Sequence, residues 1–496
     1  MDMKFRIPYE WYYEELGRKT DALFHAMRES IVNGTLAQGT RLPSSRRLAE
    51  LYGVSRGSVN AAYDMLIAEG FARAAGGSGT FVAYSDPLSG MVHGAAVRAP
   101  LALSEWGERL VSAKALFRVG EAHPLLQVPG VSEEMCFRLR EPDVSLFPVE
   151  AWRRTLFAEV RDMMAVFPAI TAPVEGYLPL REAIAQDLRR ERGMRANAAN
   201  ICITNGSMHA IALLMKLLVN PGRPVVVENP SYAGIRRAIY AEGGSILAAA
   251  LDHQGIVPEE WRSELLFVTP TRQFPTGAVL SASRRTELLA WASRQGAVII
   301  EDDYDSELQW GGRLVEPLKA LDSEERVVYI GTFSKTMFMD LRLGYVVLPE
   351  ALLEPFRLAK ALQEPHPSAL VEQRAMAHFI GSGDYARHLR RMKRVIGRRL
   401  LVFRDEVERR LSRWFRFVPA DAGLHMYAVW RGDAVSYAKL RERCAALGVT
   451  WTVGDAYWEG DIPHSTALFG FAQLQEAQIK EGALRIESVC EALQTY

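Results

Sequence analysis

Residues 326–345 read RVVYIGTFSKTMFMDLRLGY. The opening RVVYI has the β-branched, unbroken apolar character of a strand buried on both faces. Just beyond it Lys335 is flanked by the hydroxyls of Thr332 and Ser334, with Arg342 expected two helical turns further on. A lysine withdrawn from water gives up its proton more easily and can condense with an aldehyde as a Schiff base. Hydroxyls and a guanidinium beside it suit a phosphate monoester. A plain surface lysine on a basic loop is the alternative, so the surrounding segments carry the decision.

Upstream, AVIIEDDYDSEL (297–308) ends a second strand with Glu301, Asp302 and Asp303. A covered sheet tolerates such acids only when something compensates them. A protonated pyridine nitrogen would do so, and Tyr304 could bond a phenolic oxygen on the same ring. A metal is the rival partner, but no histidine lies close by in sequence and no metal site is expected. Further back, Gly206, Ser207 and Met208 follow the strand ICIT and open the helix HAIALLMKLL, where free backbone N–H groups favour an anion. Tyr232 follows the strand PVVVE, at the carboxyl end of the sheet where open α/β folds bind ligands. Taken singly these are an ordinary capped helix and a packing tyrosine. Taken with Lys335 they ask for an aldehyde, a pyridine nitrogen and a phosphate on one molecule, which is pyridoxal 5′-phosphate (PLP).

The strands ICIT, PVVVENP, LLFVTP, AVIIEDDY, RVVYIGTFS and RLGYVVLP alternate with long amphipathic helical stretches, which implies a mainly parallel sheet covered on both faces. The whole chain has 496 residues, too many for one ordinary domain, and is 49% hydrophobic and 24% charged. Its 59 basic and 59 acidic residues balance, so any nucleic-acid contact must come from a local patch. Four widely spaced cysteines suggest neither zinc nor a disulfide framework. The N-terminal stretch lacks a signal-peptide core and no long apolar run occurs, so a cytoplasmic protein without membrane contact is expected. Composition divides the chain into 1–84, a linker at 85–131 with a short helix around 105–117, and 132–496, with a large subdomain at about 170–370.

Within 1–84, a helix from Thr20 to Asn33 presents Leu23, Met27 and Ile31 on one face. Ser44 or Ser45 caps a second helix buried through Leu48, Ala49 and Leu51; Gly53 ends it. Ser55 caps a third, with Val59, Ala62, Tyr63, Leu66 and Ile67 at helical spacing. Two short helices across Gly-Val make a helix-turn-helix, and the glycines around Ser78 suit a hairpin wing. Arg41, Ser45, Arg46, Arg47, Ser55, Arg56, Ser58 and Asn60, with Gly77, Ser78, Gly79 and Thr80 of the wing, are the candidate DNA-binding residues. A helical docking domain with a solvated basic face is the alternative.

The segment LPSSRRLAELYGVSRGSVNAAYDMLIAEGF…GSGTFV resembles the winged helix-turn-helix of GntR-type bacterial repressors. TPTRQFPTG, IIEDDYDSEL and YIGTFSKTMFMDLRLGY resemble fold-type I aminotransferases, in the form found in MocR/GabR-type regulators; GYLPLREAIAQDLRRERG, DVSLFPVEAWRR and AGLHMYAVW match as well. The resemblance implies an all-α-rich winged helix fused to an α/β PLP-binding domain of fold type I, in a head-to-tail, domain-swapped homodimer. It implies Lys335 as the Schiff-base lysine and Asp302 on the pyridine nitrogen. Tyr304 would bond the phenolic oxygen, Tyr232 would stack on the ring, and Gly206, Ser207, Ser334 and Arg342 would hold the phosphate, with Met208 and Thr332 alongside.

Two departures bear on the ligand. Where relatives carry GFAR, with an arginine that clamps a carboxylate, this chain has GFAQ, placing Gln473 there. The GABA sensor's second ligand arginine falls on Gly234, so GABA is not the expected effector. Arg272 stands where histidine is commoner and could supply a relocated anion contact. The expected function is a PLP-dependent regulator that binds operator DNA and senses an amine or amino-acid-like effector through an aldimine at Lys335, with no need for turnover. An active aminotransferase that binds DNA and a sensor of PLP itself are the alternatives. The basic stretch 384–411 reads as a solvated helix of the small subdomain, or else as a face turned to bent DNA.

Overall fold

The computed structural model describes residues 5–85, 102–113, 135–139, 143–166, 172–309 and 316–494; most of the expected linker, 86–101 and 114–131, lies outside them. The chain divides into two compact units, Met1–Ala102 and Leu103–Tyr496.

The first unit holds α1 (Tyr9–Leu16), α2 (Lys19–Val32), α3 (Ser45–Tyr52), α4 (Arg56–Ala68) and a hairpin of β1 (Ala72–Ala75) with β2 (Gly79–Val82). Leu23, Met27 and Ile31 of α2 are buried together with Leu48, Val59, Ala62 and Leu66. Ser44 is the cap of α3, its hydroxyl accepting from Arg47 N at 3.3 Å, and Ser55 caps α4 by accepting from Ser58 N at 3.0 Å. Gly53 stops α3 with a φ of 63°, a left-handed turn that glycine adopts without strain. Leu51, expected on the buried side of α3, is instead 51% exposed. Two residues beyond Ala49 it has swung about 200° around the helix, off the face that buries Leu48 and Ala49.

The second unit begins with α5 (Glu105–Ser112), shorter than the 105–117 expected; residues 114–117 lie outside the described segments. Trp106 Nε1 donates to Glu242 Oε1 at 3.2 Å and Arg109 Nε to the Ala241 carbonyl at 3.0 Å, fixing α5 to the second unit. The chain continues through β3 (Met135–Phe137), α6 (Val149–Ala165), α7 (Leu178–Arg192), β4 (Ile201–Thr204), α8 (Ser207–Leu218), β5 (Pro224–Glu228), α9 (Ala233–Ala241) and β6 (Ser245–Ala249). A small hairpin, β7 (Leu251–Asp252) with β8 (Gly255–Ile256), precedes β9 (Leu265–Val268), α10 (Ala282–Gln295), β10 (Val298–Asp303), α11 (Leu318–Leu321), β11 (Val327–Thr332) and β12 (Gly344–Val347).

These strands form a seven-stranded sheet in the order β4-β12-β11-β10-β9-β5-β6. All pairs are parallel except those of β12, which runs antiparallel to both neighbours. Each of the six expected strands is present, and β6 was not foreseen. Ile211, Leu214 and Phe356 cover one face and Leu288 and Trp291 the other, which is why the strands are apolar throughout.

After α12 (Glu350–Gln363), α13 (Leu370–Gly381) and α14 (Asp384–Arg410) comes a small subdomain. It contains β13 (Phe415–Phe417), β14 (His425–Trp430), α15 (Ala434–Ala446), β15 (Val449–Val453), β16 (Thr466–Gly470) and α16 (Glu476–Gln494). Its sheet order is β13-β14-β16-β15-β3, so a strand that precedes the large sheet in sequence closes the small one. The basic helix α14 buries Tyr385, Met392, Ile396, Phe403 and Val407 at helical spacing and turns Arg390, Arg391, Arg394 and Arg398 to solvent. No helix among the described residues is long and apolar enough to cross a membrane.

Candidate functional site

In the first unit, Arg41, Arg46, Arg47, Ser55, Arg56, Asn60, Gly77, Ser78 and Gly79 are exposed, with Ser45, Ser58 and Thr80 half-buried. Ser55 and Ser58 share a hydroxyl–hydroxyl bond of 2.9 Å at the start of α4, and Arg46 pairs with Glu50 at 3.3 Å. Arg41 bridges to Phe81 of β2, and a Cβ on Gly79 would come within 3.0 Å of its Nε. The glycine therefore leaves room for the Arg41 guanidinium beside the turn of the wing. Tyr63, expected only as part of the buried face of α4, also donates to the Pro43 carbonyl at 2.6 Å and so anchors the entry to α3.

In the second unit, sheet register builds the site's anion corner. Thr332 on β11 pairs with Gly344 on β12, which pairs with Thr204 on β4. A Cβ on Gly344 would lie 2.9 Å from the Gly206 carbonyl carbon, so only glycine lets the 205–207 turn pack there. Gly206 precedes α8 and accepts from His209 N at 3.2 Å, while the N–H groups ahead of His209 have no acceptor further back in the helix. Arg342 reaches the same turn, donating through Nη2 to the Asn205 carbonyl at 3.0 Å, with its guanidinium where a Gly206 side chain would stand. It is not on a helix, as expected from sequence, but follows a short 3₁₀ turn at a φ of 48°. Backbone held in that sparsely populated region marks a position fixed by its surroundings. Thr332 Oγ1 donates to Ser334 Oγ at 3.1 Å, and Lys335 follows, half-buried.

The three acids of β10 separate by strand alternation. Glu301 accepts from Leu318 N and Lys319 N, both at 2.9 Å, and caps α11. Asp303 accepts from Arg192 at 3.1 Å, Ser306 at 2.6 Å and Tyr329 at 2.7 Å. Both therefore have partners within the protein, and the compensation expected for all three is needed by one. Asp302 points to the other face, and its buried Oδ1 has no hydrogen-bond partner. Burial first, then the charges of Asp303, Asp305 and Glu228, raise its pKa to about 7. A carboxylate in that position is stabilised by a cationic N–H donor.

Tyr232 caps α9 at the edge of this region, and its phenol is pushed up by burial and then by Asp302. Phe274, unnoticed in sequence, is an aromatic hub with edge-on rings from Tyr232, Tyr304 and Tyr457 at 6.0, 5.6 and 5.1 Å. Glu228, also missed, accepts from Thr269 Oγ1 at 2.7 Å and Gln273 Nε2 at 3.3 Å; burial raises it to about 7. Its one visible signal was an acid at the end of an apolar strand.

Of the tentative effector residues, Arg272 is bonded into this cluster through Tyr304, and Gln473 is bonded away from it, to the backbone in and after β3. Arg272 Nη1 donates to Asp305 at 2.9 Å and Tyr304 at 3.1 Å, and Nη2 donates to the His425 carbonyl at 2.6 Å. Both terminal nitrogens thus have partners inside the protein, while its buried Nε has none. Gln473 is likewise committed, its Nε2 donating to the carbonyls of Cys136 at 2.8 Å and Arg138 at 3.1 Å. A Cβ on Gly234 would stand 2.3 Å from the Tyr232 ring and 2.6 Å from Met208 Sδ, so no side chain fits there in this arrangement. Among the described residues no cluster of three or more His, Cys, Asp or Glu is disposed to hold a metal.

The residues present fit PLP: an orphaned buried carboxylate for a ring N–H, aromatic and phenolic groups beside it, and an anion corner next to Lys335.

Residues 19–82 match the family "Bacterial regulatory proteins, gntR family", and residues 150–456 match "Aminotransferase class I and II". The chain is 32% identical to the probable rhizopine catabolism regulatory protein MocR of Rhizobium meliloti, over 95% of this chain and 94% of that one. It is 31% identical to the HTH-type pyridoxine biosynthesis transcriptional regulator PdxR of Corynebacterium glutamicum, over 92% and 93%. Among solved structures, the α-aminoadipate aminotransferase LysN of Thermus thermophilus shares the fold with a TM-score of 0.68 at 24% identity, covering 79% of this chain and all of that one.

Proposed function

The chain belongs to the MocR-type transcription regulators, in which a gntR-family domain precedes an aminotransferase class I and II domain, and on that premise we propose how it reads its ligand. It binds operator DNA through the first unit and PLP through the second. The orphaned Oδ1 of Asp302 carries this reading, because nothing in the protein stabilises that buried oxygen and a protonated ring nitrogen would. Gly206, Ser207, Ser334 and Arg342 would hold the phosphate, and Tyr232 and Tyr304 would flank the ring. When bound, PLP supplies an aldehyde with which the Lys335 amine, or an incoming amine, can condense.

The chain's own residues then define what an effector must do. Asp302 holds the ring nitrogen's proton, Tyr304 orients the ring's oxygen, and Lys335 is either engaged or released. An effector that prefers one of these conditions shifts the equilibrium between arrangements with different operator affinity, and only such a difference in affinity can do so. In this reading the regulator acts as a homodimer.

A second reading is that PLP is itself the signal. The amide of Gln473, which donates to the carbonyls of Cys136 and Arg138, and the lack of room at Gly234 leave no guanidinium at the two positions where the resemblance places a ligand arginine. The resemblance to a protein named for pyridoxine biosynthesis points the same way. Titrating operator binding by apo protein, PLP-loaded protein and PLP-loaded protein with a panel of amines separates the two. A response to PLP alone supports the second reading; a response that appears only with an amine supports the first. Absence of any PLP adduct at Lys335 after borohydride reduction would overturn both.

A further inference from the structure

Arg272 is a buried side chain with three partners at the site, and effector recognition does not explain its contacts. It lies on the loop after β9, in the large subdomain, with 3% of its side chain exposed beside Asp305 at 2%. Its Nη1 is shared between Asp305 and the phenol of Tyr304, while Nη2 crosses to the His425 carbonyl at the start of β14 in the small subdomain. The crossing requires its neighbours to be small. Gly423, with a φ of 82°, lies flat on the guanidinium, and a Cβ there would be 2.2 Å from Arg272 Cζ. The same segment is held from below, where Gly423 N donates to the Leu308 carbonyl at 2.9 Å. Above it, His425 Nε2 donates to the Pro275 carbonyl at 3.0 Å.

This wiring has a direct chemical consequence. A guanidinium has no acceptor, so in the Arg272–Tyr304 bond the phenol oxygen must accept. Its own hydrogen is then left to point elsewhere, and the positive charge beside it makes the phenol a stronger donor. Burial holds the Tyr304 proton on, and burial followed by the Arg272 charge keeps His425 neutral. The charged groups around this phenol are Arg272, Asp305 and Asp302, with Lys335 acting on Asp305 and His425.

We propose that Arg272 is a positioning residue that sets Tyr304 as a donor toward the bound ring and ties that phenol to the Gly423–His425 backbone, so that ring occupancy and seating of the small subdomain are coupled. The proposal rests on PLP being the ligand of this site. A donor to the ring's phenolic oxygen favours its deprotonated form and, with it, loss of the proton from the adjoining nitrogen. Weakening that donor raises the midpoint at which the loaded protein's visible absorbance changes with pH.

The test uses full-length, PLP-loaded wild type, Arg272→Lys, Tyr304→Phe and the double variant. Lysine keeps a cation for Asp305 but cannot span three partners as a planar fork does. The expected midpoint rises by about one unit in Arg272→Lys, rises in Tyr304→Phe, and rises no further in the double variant, since both changes break one path. In parallel, PLP slows backbone hydrogen exchange at 423–427 by about tenfold or more in wild type and by far less in Arg272→Lys. An unmoved midpoint in folded Arg272→Lys, additive shifts in the double variant, or equal protection of 423–427 by PLP in both proteins would overturn the proposal. If the wild type itself never acquires visible absorbance with PLP, the cofactor reading fails, and that result is distinct from the others.

Discussion

The candidate DNA-binding residues of the first unit and those that gather around Asp302 in the second are held by opposite means. Arg46, Arg47, Arg56 and Asn60 stand in water on two short helices, and the folding work is done beneath them by Leu48, Val59 and Leu66 and by the caps Ser44 and Ser55. Around Asp302 almost every polar group is buried and engaged. Asp303 has three donors, Glu228 is bonded to Thr269 and Gln273, and Asp305 is paired with Arg272. In the first unit a side chain can be removed with the loss of one contact. In the second, removal leaves its partners exposed to the cost of a buried, unpaired charge.

That contrast sets the size of the expected effects. Lys335→Ala removes the only amine proposed to capture the aldehyde, so the borohydride-fixed adduct disappears by mass spectrometry while operator binding by the apo protein stays within a few-fold. Asp302→Asn follows, weakening PLP by about 2–5 kcal/mol because the ring's cation then faces an amide. Equal PLP dissociation constants for this variant and wild type would dissolve the contrast at its centre.

The same carboxylate gives the comparison a pH axis. An acid whose folded pKa is raised contributes stability that is fully present below its unfolded value and lost as pH rises through its folded value. Asp302 rises from 3.8 to about 7. Apo protein should therefore lose stability between about pH 4 and pH 7. PLP gives Asp302 a cationic partner and lowers that pKa, so the gap in Tm between loaded and apo protein widens over the same interval. In Asp302→Asn the widening shrinks; a gap independent of pH in wild type would break the argument. No such dependence is expected of the first unit, where Arg56→Ala should weaken operator binding by about 1–3 kcal/mol and leave PLP affinity unchanged.

What could be read from sequence divides along the same line. Helix caps, the buried faces of α2 and α4, and six strands follow from local spacing, since capping and periodicity involve residues a few positions apart. Lys335, Asp302, Tyr304 and Arg342 were visible as residue types suited to one ligand. The sequence could not tell which of Glu301, Asp302 and Asp303 lacks a partner, because Arg192 and Tyr329 reach Asp303 from distant segments. Nor could it show that Gly344 admits the 205–207 turn, or that Arg272 is spent on Tyr304, Asp305 and His425. Those facts arise from register between strands and from the meeting of two subdomains, which no short window contains.

Gln473 allows the finest test, because its sequence position and its surroundings give opposite answers. By position it takes the place of a carboxylate clamp; by geometry its amide nitrogen fastens the turn after β16 to the carbonyls of Cys136 and Arg138 in and after β3. The second role is structural, since β3 has β15 as its strand partner and enters the small sheet from far away in sequence. Gln473→Leu keeps the volume but removes the donor, and a half-buried site loses about 1–2 kcal/mol for carbonyls left unpaired. Chemical denaturation should register that loss, while PLP affinity and the response of operator binding to amines stay as in wild type. An altered effector response with unchanged stability would return Gln473 to the ligand.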